Sequence, residues 1–275
     1  MSGGFFTSVV HDDGRQSPRI DVSVAHQARV YDYLLGGKDN FAVDRAVGEK
    51  ILEANPDLVA MNRANRTFLG RGVRFLAAEA GIRQFLDIGT GIPSAGNTHE
   101  VAQEVAPESR VVYVDNDPIV LAHARALLAS APEGKIAYLD ADANDPDTIV
   151  AQAAETLDFS RPVAITVLFI LQVIADPYAL TSRLLRAVPP GSYLAISIPA
   201  SDIQTEAQAE TVRRLAKDVP DVSVTFRSHA EVERFFDGLE LLAPGVVPVN
   251  HWRPGPGSPK PARALPAHAA VGRKR

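Results

Sequence analysis

The chain has 275 residues, 46% of them hydrophobic, enough to fill the core of an α/β domain. It has no cysteine, which excludes disulfides, thiolate metal sites and cysteine nucleophiles and suits a reducing cytoplasm. The net charge of −5 hides an asymmetry, because Arg253, Lys260, Arg263, Arg273, Lys274 and Arg275 crowd into the last segment and leave the remainder more acidic, an unfavourable surface for nucleic acid.

Residues 1–21 are rich in Ser, Gly and Asp with little periodicity and are expected to form a flexible arm. They lack a basic segment followed by a long apolar run, and no apolar stretch approaches the ~18 to 20 residues of a membrane helix. A cytoplasmic protein without membrane contact is expected. From Val22 to Leu35, Val43 to Ala54 and Leu58 to Ala78 apolar residues recur at helical spacing, predicting a three-helix cap over residues 22–80. The first of these helices runs into the glycine pair of YDYLLGGKDNF, and Asn55-Pro56-Asp57 separates the second from the third.

After Gly81 short runs that are apolar on both faces alternate with helices: Phe85 to Ile88, Val111 to Val114, Ile136 to Leu139, Val163 to Ile170 and Tyr193 to Ile198. Such runs predict buried parallel strands. Asp117-Pro118, Asp145-Pro146 and Asp176-Pro177 each set a capping carboxylate before a proline suited to the first helical position. The repeated junction indicates a Rossmann-like, doubly wound sheet over residues 81–252. Ser228 and Glu231 have capping-box spacing for a short helix, between extended segments Val222 to Phe226 and Leu239 to Val249. Residues 253–275, basic and proline-rich, read as a disordered tail.

In such a sheet the ligand lies beyond the carboxyl ends of the strands. The first strand ends in FLDIGTGIPSAGN, where Gly89 and Gly91 flank Thr90 and allow close backbone approach; a third dinucleotide-type glycine is absent, the position being Ser94. The second strand ends at Asp115-Asn116, where a carboxylate can accept from both ribose hydroxyls. The third is followed by Asp142-Ala143, suited to an adenine amino group and a ring nitrogen. No Lys or Arg near the glycine turn neutralises a pyrophosphate, so a cationic or zwitterionic adenosyl ligand suits the site better than a dinucleotide. Arg63 and Arg66, three apart on one helix, are candidates for a ligand carboxylate.

The segments RVYDYLLGGKDNFAVDR, NRANRTFLGRGVRFL, GIRQFLDIGTGIPSAGNTHEVA, RVVYVDNDPIVLAHARALL and RSHAEVERFFDGLELLAPGVVPVNHWRP together resemble an actinobacterial family of S-adenosylmethionine-dependent methyltransferase-like proteins, from about Val22 to Pro254. The resemblance implies the class I methyltransferase fold, a seven-stranded, mostly parallel sheet whose last strand is antiparallel, with S-adenosyl-L-methionine as cofactor. Carried over by position, Asp87, Gly89 and Gly91 match the first cofactor motif, Asp115 the ribose acid and Asp142 the adenine-side acid. Elements before the first strand commonly cover the cofactor in this fold. On that basis residues 31–41 are expected to form a hinged lid, with Gly36 and Gly37 near the methionyl end, Lys38 or Asn40 at its carboxylate, and Arg63 beside them. Where the resembling family reads leucine-histidine and a longer acidic loop, this chain reads Leu171-Gln172-Val173-Ile174-Ala175-Asp176. An amide does not titrate, so Gln172 is no general base.

The implied reaction is in-line methyl transfer to a small-molecule acceptor, with no metal and no nucleic-acid substrate. His99, His251, Tyr31 and Tyr33 are the side chains weighed as bases, none with a pattern that singles it out. Two alternatives stand beside the enzyme: a non-catalytic binder of S-adenosylmethionine or S-adenosylhomocysteine, and an NAD-dependent oxidoreductase.

Overall fold

The buried apolar runs set the sheet. The computed structural model describes residues 22–127, 130–217, 224–255 and 263–275. Within them β1 (Gln84–Ile88), β2 (Arg110–Asp115), β3 (Lys135–Asp140), β4 (Ala164–Leu168) and β5 (Tyr193–Pro199) pair in parallel, close to where the sequence puts them. Two short strands, β6 (Leu239–Leu241) and β7 (Val247–Pro248), and a long one, β8 (Ala267–Lys274), complete an eight-stranded sheet of order β3-β2-β1-β4-β5-β8-β6, with β7 also on β8. β8 is antiparallel to β5, β6 and β7. The order reverses between β1 and β4, which opens a crevice at their carboxyl ends.

Alternation along each strand splits the core in two. Leu86, Ile165, Leu194 and Ile196 join one cluster, while Phe85, Val111, Tyr113 and Ala195 join another that includes Phe68 and Trp252. The helices start as their caps dictate. Asp117, Asp145 and Asp176 accept from Ile119 N (2.9 Å), Thr148 N (3.2 Å) and Ala179 N (2.9 Å), with Pro118, Pro146 and Pro177 opening their helices.

The cap consists of α1 (Gln27–Leu35), α2 (Ala42–Ala54) and α3 (Leu58–Ala78). Its first two helices share a small cluster of Ala25, Val30, Leu34 and Val47 and are joined by a buried ion pair. Arg29 Nε lies 3.0 Å from Asp44 Oδ2, at 2% and 0% side-chain exposure. Asp44 also accepts from His26 N (2.9 Å) and Phe41 N (2.8 Å), so its charge is satisfied from three directions.

The C-terminal expectation is overturned. Residues 267–274 are no tail but the strand that seals the sheet, with Ala267, Ala269, Ala270 and Val271 wholly buried. Small residues suit a strand covered on both faces: a Cβ on Gly272 would come within 2.5 Å of Phe236. Its positive charges are matched inside the fold. Arg263 pairs with Asp57, Lys274 Nζ donates to the carbonyls of Leu185 (2.8 Å) and Val188 (2.7 Å), and Arg273 lies 3.9 Å from Glu240. The proline-rich stretch 256–262 lies outside the described residues, as do the arm 1–21, Val222 and Ser223. Residues 224–226 form no strand, and Arg227 makes only an isolated bridge to Ala200. A further helix, Glu206–Ala216, follows β5 and packs against α2. Among the described residues no helix is long and apolar enough to cross a membrane.

Candidate functional site

A cavity of about 980 Å³ occupies the crevice at the carboxyl ends of the parallel strands. Its floor comes from the strand ends and its roof from α1, α3, the turn after β4 and the segments that follow β5.

On the floor, Gly89 and Gly91 take left-handed backbone angles (φ 71° and 68°), and Gly89 has no room for a side chain because its Cβ would meet Ile170 at 2.7 Å. Gly89 N donates to Val114 O (2.8 Å), tying the glycine turn to β2. Gly91 N donates to Asp115 Oδ2 (2.8 Å) and Asp117 N to Asp115 Oδ1 (3.0 Å). Each Asp115 oxygen therefore holds one N–H and keeps accepting capacity for a ligand hydroxyl. Burial raises the Asp115 pKa, with the two N–H groups opposing that rise. Asp87, at the end of β1, accepts from Thr98 Oγ1 (2.6 Å) and Thr166 Oγ1 (2.8 Å); burial is the largest effect on it and raises its pKa. Asp142 accepts from both nitrogens of Asn144 (2.9 and 3.0 Å), fixing the loop that carries Ala143. Thr90, Asn116, Asp142 and Ala143 all line the cavity with the three residues of the first motif and Asp115.

The roof is a different construction. Tyr31 OH donates to Asn62 O (3.4 Å) and accepts from Asn65 Nδ2 (3.2 Å), while Asn65 Oδ1 accepts from Ser197 Oγ (2.6 Å), so one relay joins α1, α3 and β5. Burial raises the Tyr31 pKa. Phe169 holds a left-handed angle (φ 53°), a strained conformation for an aromatic residue, and its ring lies edge-on to Tyr31 with centroids 6.5 Å apart. Gln172 Nε2 donates to Phe169 O (2.7 Å), which closes this turn and gives Gln172 a structural task. At the border of roof and floor His26 caps α1, its Nδ1 accepting from Ala28 N (3.3 Å) and lying 2.8 Å from Asp117 Oδ2.

Four sequence-predicted site residues fall outside the cavity. Gly36 is the left-handed C-cap of α1 (φ 84°), and Asp32 accepts from Asp39 N (2.9 Å) and Asn40 Nδ2 (2.8 Å), folding GGKDN back on its own helix. A Cβ on Gly37 would overlap the Asp32 carboxylate, so this glycine serves the turn rather than a ligand. Lys38 is exposed, and the cover is α1 itself, from His26 to Tyr31 and Leu34, not a loop at 31–41. Arg63 is also exposed, and Arg66 lines the cavity in its place. The buried stripe of α3 (Met61, Asn62, Asn65, Phe68, Leu69) decides this: at about 100° per residue, Arg63 falls far from its centre and Arg66 at its margin. Arg66 Nη2 donates to Ala95 O (3.2 Å) and Asn97 Oδ1 (3.3 Å), bracing the glycine loop.

The weighed bases also sort out. His99 is buried, with its N–H and Nδ1 both 2.8 Å from Tyr113 OH, and desolvation lowers its pKa. Tyr33 OH reaches Glu49 (3.4 Å), and neither His99, His251 nor Tyr33 lines the cavity. His26, Tyr31, Asn62, Asn65, Gln204 and Phe226 do line it, and of these only Tyr31 is a candidate base from the sequence, while Asn62 and Asn65 belong to the polar cluster of the third helix that also holds Arg63 and Arg66.

A protein-family profile described as S-adenosyl methyltransferase matches residues 13–275. A crystal structure of a DUF574 family protein from Streptomyces avermitilis superposes with a TM-score of 0.86 at 47% identity, covering 94% of this chain and 100% of that one. A crystal structure from Thermobifida fusca YX gives a TM-score of 0.84 at 42% identity, covering 93% and 97%. The trans-aconitate 2-methyltransferase of Acidovorax sp. (strain JS42) is 28% identical over 182 residues, 62% of this chain, and the match spans only 59% of that relative's length.

Proposed function

This chain belongs to the S-adenosyl methyltransferase family, with S-adenosyl-L-methionine as its cofactor, and on that premise we propose that it methylates a small molecule inside the cavity under α1. The observation that carries this placement is Asp115: a carboxylate at the end of β2, bonded to the Gly91 N–H of the glycine turn, with accepting capacity left on both oxygens.

The residues present fit the cofactor. Asp115 takes the ribose hydroxyls, Asp142 and Ala143 the adenine edge, and the Gly89 to Gly91 backbone the stretch between ribose and methionyl group. Arg66 replaces Arg63 as the partner of the methionyl carboxylate, reaching it from the same edge of α3 that braces the glycine loop. When bound, S-adenosylmethionine would supply an electrophilic methyl group whose carbon an acceptor lone pair attacks in line, the carbon–sulfur electron pair leaving with the sulfur as S-adenosylhomocysteine.

The chain's own contribution is enclosure and orientation. Leu34, Ile51, Leu69, Phe169 and Phe226 wall the acceptor side with apolar surface, which excludes water from the transfer. Tyr31, its pKa raised by burial, stays protonated at neutral pH and acts as a hydrogen-bonding group rather than a base. Gln172 shapes the Phe169 turn and moves no proton.

A crystal structure with S-adenosylhomocysteine tests the placement. Ribose hydroxyls on Asp115 and the homocysteine carboxylate near Arg66 are expected; an adenosyl group seated elsewhere would overturn it.

A further inference from the structure

Three carboxamides on the acceptor side of the cavity have a polar atom that no neighbour satisfies. Asn62 Nδ2 on α3, Gln172 Oε1 in the turn after β4 and Gln204 Nε2 in the segment after β5 are all buried and lack a hydrogen-bond partner among the described residues. Asn62 is 2% and Gln172 8% exposed, and each lines the cavity. Unpaired buried polar atoms are uncommon and costly, and here three carboxamides on separate elements, with Asp117 Oδ2 as a fourth such atom, belong to residues that line one cavity. Together they present two N–H donors and one carbonyl acceptor.

Their surroundings carry little positive charge. Arg29 is engaged by Asp44, His26 faces Asp117, and Arg66 holds the 95–97 loop beside the methionyl end. An anionic acceptor would meet Asp87 and Asp115 in the same cavity with no dedicated cation among the described residues to receive it. Ile170, Val173, Val212 and Phe226 add apolar wall to the same cavity. We propose that the methyl acceptor is an uncharged, largely apolar small molecule bearing both a hydrogen-bond acceptor and a donor, which Asn62, Gln172 and Gln204 recognise. This rests on the adenosyl group lying on the floor, which leaves the amide side for the acceptor.

Matched pairs test it. The protein is first titrated with S-adenosylhomocysteine, then, saturated with it, with indole-3-acetamide and indole-3-acetate, nicotinamide and nicotinate, and quinoline-2-carboxamide and quinoline-2-carboxylate. The neutral member is expected to bind at least about tenfold more tightly in at least one pair, with no pair favouring the acid. Asn62→Leu is expected to reduce that preference below about threefold while leaving the S-adenosylhomocysteine affinity within about twofold. It is the decisive variant, since Gln172→Leu also removes the bond to Phe169 O, and its melting temperature checks the fold. The inference is overturned if the acids bind as well as the amides, if no pair shows a difference, or if Asn62→Leu keeps the full preference. Wild type that does not bind S-adenosylhomocysteine at all would instead defeat the cofactor placement beneath it, before any pair is added.

Discussion

The floor of the cavity gathers Asp87, Asp115 and Asp142 from the ends of three neighbouring strands, whereas its roof gathers Tyr31, Asn62, Arg66 and Gln172 from helices and a turn far apart in the chain. On the floor, local bonds combine with bonds between neighbouring strand ends: Asp115 bonds the N–H two residues on and Asp142 bonds Asn144, while Gly91 to Asp115 spans 24 residues and Asp87 to Thr166 spans 79, and the glycines take angles that other residues avoid. On the roof, contacts such as Asn65 to Ser197 span 132 residues and exist only once the sheet and cap have docked. The floor is therefore built from short motifs brought together at adjacent strand ends, and the roof from the docking of the cap onto the sheet. The proposed placement sets the cofactor on the first and the acceptor against the second.

Both halves stand on the same sheet, so the largest effect should come from removing its support. A chain ending at Gly255 loses β8, the partner of β5, β6 and β7, and is expected to show no cooperative melting transition by circular dichroism. A folded truncated protein would return 267–274 to the status of a tail. Separating the halves comes next. Asp44→Ala removes the carboxylate partner of the buried Arg29 and should cost about 3–5 kcal/mol of stability. Hydrogen exchange should accelerate first across 26–54, with the β1 and β4 amides the last to open; equal loss in both regions would mean that cap and sheet form one cooperative unit. On the boundary, Arg66→Ala should weaken S-adenosylhomocysteine binding about tenfold, ~1.4 kcal/mol, and Arg63→Ala less than about twofold. The reverse ranking would mean that α3 presents a different face.

A pH series gives the smallest expected effect and isolates one floor carboxylate. Burial raises the Asp115 pKa, and ribose recognition needs the ionised form. S-adenosylhomocysteine affinity should thus be full above that raised value and fall as pH drops through it, a slope that Asp115→Asn flattens. Stability moves the other way. The native state holds this proton more tightly than the unfolded chain, so the contribution present below the unfolded pKa is lost as pH rises through the folded one.

Legibility followed the same division. Strands β1 to β5, the Asp-Pro helix starts and the floor residues were readable because each has a local signal: an apolar run, a capping carboxylate or a glycine turn. GGKDNF misled because a helix C-cap and a ligand loop use the same residues, and only the bonds to Asp32 separate them. β8 was hidden by Ala and Gly, weak strand formers chosen here for close packing, and by neighbouring charges whose partners, Asp57 and the carbonyls of Leu185 and Val188, are remote in sequence. His26 gave no local signal, because its partner Asp117 lies ninety-one positions away.

Calorimetric titration with S-adenosylhomocysteine, on wild type and on Asp115→Ala at neutral pH, probes the central claim most directly. Wild type should bind, and the variant should bind about 30- to 100-fold more weakly, the ~2–3 kcal/mol expected for losing a charged hydrogen-bonding partner, with its melting temperature near that of wild type. Equal affinity in the two proteins would contradict the placement of the ribose at the end of β2, and with it the division of the cavity into a cofactor floor and an acceptor roof.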